Sequence, residues 1–226
     1  MARQPRFVVP GQLHLLRQRG HDGEPIVRDS EDRRRWLDAL RDTASTHRVV
    51  VHGWCLDDDE FRLLARPPDG IALSRMVQDL GRRYVAAFNL RHGRRGTLWD
   101  GRFRCAAIQP GPRELVALAF VEHRGTHDAA SSSAPHHLGL RLDPWLDDPP
   151  AYWALGNTPF DRQHAWRSRL EQGLGAAETA SVERALRSGI PLADPAWLRE
   201  LQPLTRLRLF PRPRGRPRRA ATNGAG

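Results

Sequence analysis

Hydrophobic and polar positions alternate or recur with periods that name most elements in the first half of the chain. Residues 12–17 alternate, with His14 and Leu16 on one face, which predicts a strand; the turn signal His21-Asp22-Gly23 follows. Ser30 fits a helix N-cap, with Glu31 and Asp32 favouring the positive end of the helix. Trp36, Leu37 and Leu40 mark the apolar face of that helix, which ends near Ser45. Residues 49–56 are rich in β-branched side chains and read as a buried strand. After the acidic run Asp57-Asp58-Asp59, residues 60–66 form its antiparallel partner, stopped by Pro67-Pro68-Asp69-Gly70. Leu73, Val77, Leu80, Tyr84 and Phe88 recur near helical spacing over residues 73–90. Residues 102–108 give a fourth strand and 113–123 a third helix. The order β-α-β-β-α-β-α predicts an α+β, ferredoxin-like fold: a four-stranded antiparallel sheet with helices on one face.

Beyond this core, spanning residues 1–128, the composition shifts. Ala-Ala-Ser-Ser-Ser-Ala-Pro, from Ala129 to Pro135, reads as a flexible linker over 129–142. Residues 143–210 are polar and helical, anchored by Trp145, Tyr152-Trp153, Trp166 and Trp197. Proline and charge in residues 211–226 predict a disordered tail.

The 226 residues carry a formal charge of +10, and all 36 cationic side chains are arginine. A GC-rich coding bias would replace lysine in this way. The excess charge still calls for an anionic partner, and nucleic acid fits best. Two cysteines, Cys55 and Cys105, are too few for a disulfide framework or zinc site and read as buried residues of a reducing compartment. No apolar run approaches a membrane span and no signal-peptide pattern opens the chain. The expectation is a soluble cytoplasmic protein.

The block 81–103 is the most informative. Arg82, Arg83, Arg91, His92, Arg94, Arg95 and Arg102 are interleaved there with Tyr84, Phe88, Trp99 and Phe103. Cations attract phosphates regardless of sequence, and flat aromatic faces stack unpaired bases. The same residues would also serve as a solvated helix face beside a core tryptophan. The order of helix, basic turn, Leu98-Trp99 and Gly101-Arg102-Phe103 resembles the central block of the REP-associated tyrosine transposases, bacterial relatives of the HUH single-strand transposases. The stretches 147–156 and 183–192 resemble later segments of that family, so the resemblance runs from Pro10 to Arg219.

The resemblance implies tyrosine attack on a phosphodiester of single-stranded DNA, aided by Mg²⁺ or Mn²⁺ held by a His-x-His pair. The family hairpin Cys-Leu-Met-Pro-Asn-His-x-His-Leu-Leu aligns with Cys55 to Leu64, which places Glu60 and Arg62 at the two histidines. Alternation puts both on one face. A guanidinium has no lone pair for a cation. The family helix Tyr-Ile-Glu-Leu-Asn aligns with Phe120-Val121-Glu122-His123-Arg124, so Phe120 stands at the nucleophile and Arg124 at a third ligand position. No cofactor is therefore expected. A fallback nucleophile is Tyr84, although its helical spacing also fits a core or base-stacking residue. His123 and His127, with Asp128, have a spacing that could hold a metal, weakened by Gly125; His136-His137 read as a loop pair and His52 as a sheet residue.

Three functions follow. The leading expectation is a DNA-binding protein on a transposase scaffold, without cleavage. Arg82, Arg83, Arg91, His92, Arg94, Arg95, Trp99, Arg102 and Arg104 would hold single-stranded or hairpin DNA. In the tail, Arg212, Arg214, Arg216 and Arg218 would join them, because Arg214-Gly215-Arg216-Pro217 resembles an AT-hook that lies in an A·T minor groove. The alternatives are an active single-strand transposase with a non-standard site and an RNA-binding regulator. A monomer and a homodimer are equally compatible with the sequence.

Overall fold

The computed structural model describes residues 6–123 and 131–210. Four strands, β1 (His14–Arg19), β2 (Val50–Leu56), β3 (Glu60–Arg66) and β4 (Arg104–Ala107), form one antiparallel sheet in the order β2-β3-β1-β4. This is the split-βαβ order predicted from the sequence. Helices α1 (Ser30–Thr46) and α2 (Ala72–Arg91) lie on one face. Asp29, rather than Ser30, caps α1: its carboxylate accepts the Asp32 amide, leaving Ser30 as the first helical residue. Just before α2, Asp69 accepts the amides of Ile71 and Ala72.

The expectation of helices on a single face is corrected. Helix α3 (Pro112–Glu122) packs on the opposite face, where Ala117 to Glu122 are buried without interruption. A helix with a continuous buried run needs cover on every side. The chain beyond it supplies that cover through α4 (Ala134–His137), α5 (Pro150–Trp153), α6 (Pro159–Gln172) and α7 (Ala176–Ser188), and α8 (Pro195–Leu201) follows. The strand pleat therefore feeds two cores. Leu16, Leu63 and Trp54 join Trp36, Leu80 and Phe88 on one side. Leu15 and Leu64 join Leu118, Phe120 and Trp166 on the other.

The linker expectation is corrected as well. Ser131, Ser132 and Ser133 are buried, and Ser133 Oγ accepts the Trp54 amide at 2.9 Å and donates to Glu122. Their small polar side chains serve a hydrogen-bonded interior, not a solvated tether. His136 and His137 belong to α4, with His137 fully buried. At Gly53 a Cβ would meet Leu118 Cδ1 at 2.7 Å, so glycine sets how closely α3 approaches the sheet.

Candidate nucleic-acid interface

On the α3 face the sheet changes from apolar to charged within one step of the pleat. Leu15 pairs with Leu64 and Ala106, and the next same-face positions, Arg17, Arg62 and Arg104, pair across three strands. Arg19 then stands opposite Glu60. Arg17 and Arg62 are nearly buried, whereas Arg104 is exposed.

Glu60, Arg62 and Phe120 converge where β3 meets α3. Arg62 Nε donates to Glu60 Oε1 at 2.6 Å, its Nη2 contacts the same carboxylate, and its Nη1 donates to the Phe120 carbonyl at 2.9 Å. The guanidinium lies over the Phe120 ring, 4.4 Å from the centroid. Arg19 Nε donates to the other Glu60 oxygen at 2.9 Å. Burial alone would raise the Glu60 pKa, but Arg62 and Arg19 outweigh it and hold the carboxyl below its ordinary value. A divalent cation does not fit this arrangement: both Glu60 oxygens already accept from guanidinium groups, and Arg62 has no lone pair to give. Arg124 lies outside the described residues.

Tyr84 is corrected as a fallback nucleophile. It is buried in the other core, across the sheet from Phe120, and its hydroxyl donates to the Ile26 carbonyl at 2.5 Å. Burial pushes its pKa upward, away from the phenolate that attack requires. Trp99 is half-buried, stacked with Tyr84 at 6.5 Å and edge-on to Phe61 at 5.6 Å, so only part of its face is open.

The predicted cations divide into two groups. Arg91 bridges Asp29 at 2.7 Å and Asp32 at 2.6 Å, and His92 Nε2 lies 2.8 Å from Asp32. Arg91 is the first reason that the exposed Asp29 titrates as low as about 2. These two residues clamp the start of α1 to the end of α2. Arg82 pairs with Asp79, Arg83 with Asp42 at 3.3 Å, and Arg94 reaches Asn89 and the Phe88 ring. Arg95, Arg102 and Arg104 are exposed and have no carboxylate partner among the described residues. Arg212, Arg214, Arg216 and Arg218 lie outside those residues.

Arg102 and Arg104 border a cleft of about 580 Å³ together with Arg17, Arg19 and Arg187. Two carboxylates, Asp100 and Glu183, face these five guanidinium groups, with Glu183 taken up by Arg17 at 2.6 Å. Sequence reasoning missed Arg17, Arg19 and Arg187. The first two had a local signal, since they continue the odd-numbered face of β1 past Leu15. Arg187 had none, because α7 reaches the cleft only through the tertiary fold.

Two other histidine clusters bring possible ligand atoms together. His136 Nδ1 accepts the Asp143 amide at 3.2 Å, and the Nε2 atoms of His136 and His137 each lie 3.4 Å from Asp148 Oδ1. Asp29, Asp32 and His92 are already bridged by Arg91. His127 and Asp128 lie outside the described residues.

The arrangement of sheet and helices has a solved counterpart. A REP-associated tyrosine transposase bound to a REP hairpin is similar over 67% of this chain and 93% of that one, with TM-score 0.51 and 10% identity. The fold is transposase-like. A "putative transposase" from Deinococcus radiodurans shares 19% identity over 49% of this chain and 88% of that one, at TM-score 0.36. No protein-family model and no curated protein matches the sequence. This transposase-like fold contains no helix, among the described residues, that is long and apolar enough to cross a membrane.

Proposed function

We propose that this chain binds DNA, as single strands or hairpins, on a transposase-like scaffold and does not cut it by the tyrosine route. One observation carries the reading: Glu60, Arg62 and Phe120, the residues aligned with the metal-binding and nucleophile positions of the resembled family, meet in one closed salt-bridged cluster. Arginine replaces the ligand and a benzene ring replaces the phenol, so neither the Lewis acid nor the attacking oxygen has a place. The unpaired Arg102 and Arg104 at the cleft, with the exposed Arg95 and the net charge of +10, supply the means of holding a phosphate backbone. The REP-associated tyrosine transposase of similar fold is itself bound to a REP hairpin, which supports hairpin DNA as the ligand class.

The test is incubation with labelled hairpin DNA and Mg²⁺ or Mn²⁺, followed by native and denaturing electrophoresis. A shifted native band, with no covalent protein–DNA band and no nicked product, is expected. Phe120→Tyr alone restores neither, because Arg62 still occupies the site. A tyrosyl adduct formed by the wild-type chain overturns the reading.

A further inference from the structure

A buried polar cluster of a different make-up lies where α4 meets the segment leading into α5. Glu122 Oε1 lies 2.6 Å from His137 Nδ1, and a carboxylate can only accept, so the ring proton sits on Nδ1. The neutral ring then turns the lone pair of Nε2 toward Asp148 Oδ1, 3.4 Å away. Both atoms are buried and neither makes a hydrogen bond. An acceptor facing an acceptor in the interior is costly unless a cation lies between them.

The arginines that neutralise other carboxylates do not serve here. Glu60 receives guanidinium groups at both oxygens, whereas Asp148 pairs, among the described residues, only with the Nε2 atoms of His136 and His137. Arg162 borders the same cleft, but it lies over the Trp153 ring at 4.3 Å and donates to the Gly156 carbonyl at 3.0 Å. The spacing is that of a coordination shell. Asp148 Oδ1 is 3.4 Å from each Nε2, and one ligand atom from each of the three residues lies within 4.8 Å of the others. Two ligands about 2.1 Å from a tetrahedral ion stand about 3.4 Å apart.

The shell is also held from outside. Asp147 donates its amide to the Val51 carbonyl at 3.1 Å and accepts from His52 Nδ1 at 2.7 Å, which fastens the segment carrying Asp148 to β2. Tyr152 donates to the His137 carbonyl at 2.6 Å. Glu122 supplies the carboxylate–histidine pairing that backs a metal-bound imidazole and fixes its tautomer. His136 and Asp148 border a cleft of about 340 Å³ beside α5 and α6, so a fourth coordination position opens to solvent.

We propose that His137, Asp148 and His136 bind one zinc ion, at a site separate from the closed Glu60–Arg62 cluster. His137 Nε2 and the Asp148 carboxylate are its principal ligands. His136 Nδ1 accepts the Asp143 amide at 3.2 Å, so its Nε2 ligates only when the ring proton moves to Nδ1 and that long contact is given up. His136 is therefore the weakest of the three. Two imidazoles select zinc over magnesium and calcium, which take shells of oxygen. The ion would tie α4 to the start of α5, within the layer that covers α3. The site is independent of DNA binding.

The test uses the full chain, stripped with EDTA, desalted, and titrated with Zn²⁺ and separately with Co²⁺. One equivalent of zinc binds by calorimetry. One equivalent of cobalt gives the visible absorption of a four-coordinate site, and zinc bleaches it. Zinc also raises the thermal midpoint, as a ligand of the folded state does. Asp148→Asn keeps the side-chain shape and lowers zinc affinity by at least about a hundredfold, the upper range for disturbing even an outer partner of a metal site. His136→Ala lowers it by about tenfold, the lower end of that range. Urea unfolding without metal checks that each variant folds, and if Asp148→Asn does not, His136→Ala decides alone. No zinc binding by the wild type overturns the site and leaves a proton as the cation between His137 and Asp148. Undiminished zinc affinity in either folded variant overturns it as well, because the ion then sits elsewhere. Neither result touches the DNA-binding reading.

Discussion

Arg62 and Glu60 illustrate how strongly a buried charge depends on its partners. Glu60→Gln leaves the Arg62 guanidinium buried against a neutral amide and strands Arg19 at the same time. Unfolding in urea shows a loss of about 3 kcal/mol for this variant, the scale for breaking one side of a buried pair. Replacing both Glu60 and Arg62 with leucine costs less than Glu60→Gln, because it leaves no uncompensated charge at either position. A second residue-scale effect comes from two buried histidines. His14 donates through Nδ1 to the Gln12 carbonyl and accepts the Val9 amide at Nε2, an arrangement that a second ring proton would break. Desolvation lowers the pKa of His14 and of His52 to about 4. Unfolded histidine protonates near 6.5, so each site's stabilisation is complete above that pH and is lost as pH falls toward 4. The loss is about 3 kcal/mol per histidine. Thermal unfolding between pH 7 and 4.5 shows this decline, with a shallower slope in His52→Leu.

At the scale of elements, legibility followed the strength of local signals. The β2–β3 hairpin and the two helices on its far face announced themselves through alternation, the acidic turn and helical spacing around Trp36, Leu40, Leu80 and Phe88. Helix α3 was found, but its place was not. Its run from Ala117 to Val121 is apolar on all sides, and only cover on both sides explains that. The serine run after it misled for a different reason. Composition registers small and polar, and such residues suit a tether and a hydrogen-bonded interior equally. What distinguishes the interior is Glu122, a buried carboxylate that accepts from Ser133 Oγ, His137 Nδ1 at 2.6 Å and Trp166 Nε1 at 2.9 Å. Within the candidate site, Glu60, Arg62 and Phe120 were legible through a family alignment. The separation of paired from unpaired arginines was legible only for Arg82, whose partner Asp79 lies one turn earlier in α2; Asp29, Asp32 and Asp42 reach Arg91 and Arg83 from the α1 region. Glu122→Leu removes the acceptor for three donors joining α3, α4 and α6 and lowers stability by about 3 kcal/mol or more, read from the denaturant midpoint.

For the whole molecule, the proposed DNA binding predicts a charge-driven affinity that falls linearly with the logarithm of salt concentration, at a slope set by the number of phosphates contacted. Deleting residues 211–226, with Arg212, Arg214, Arg216 and Arg218, reduces that slope and weakens binding most on A·T-rich duplex, measured by fluorescence anisotropy. Unchanged affinity on A·T-rich duplex counts against the minor-groove reading of the tail. The margins of the sheet bear on self-association. Along the outer side of β2, Ser131 O accepts the Leu56 amide, Ser133 N donates to Trp54 O, and Asp147 N donates to Val51 O. On the outer side of β4, Leu192 N donates to Ala107 O, while Arg6 caps Phe103 O. Neighbouring segments of the same polypeptide thus already satisfy the backbone groups through which another subunit would add strands. A homodimer built by merging two sheets would first have to peel those segments away, which leaves the helical exterior as the accessible route to pairing.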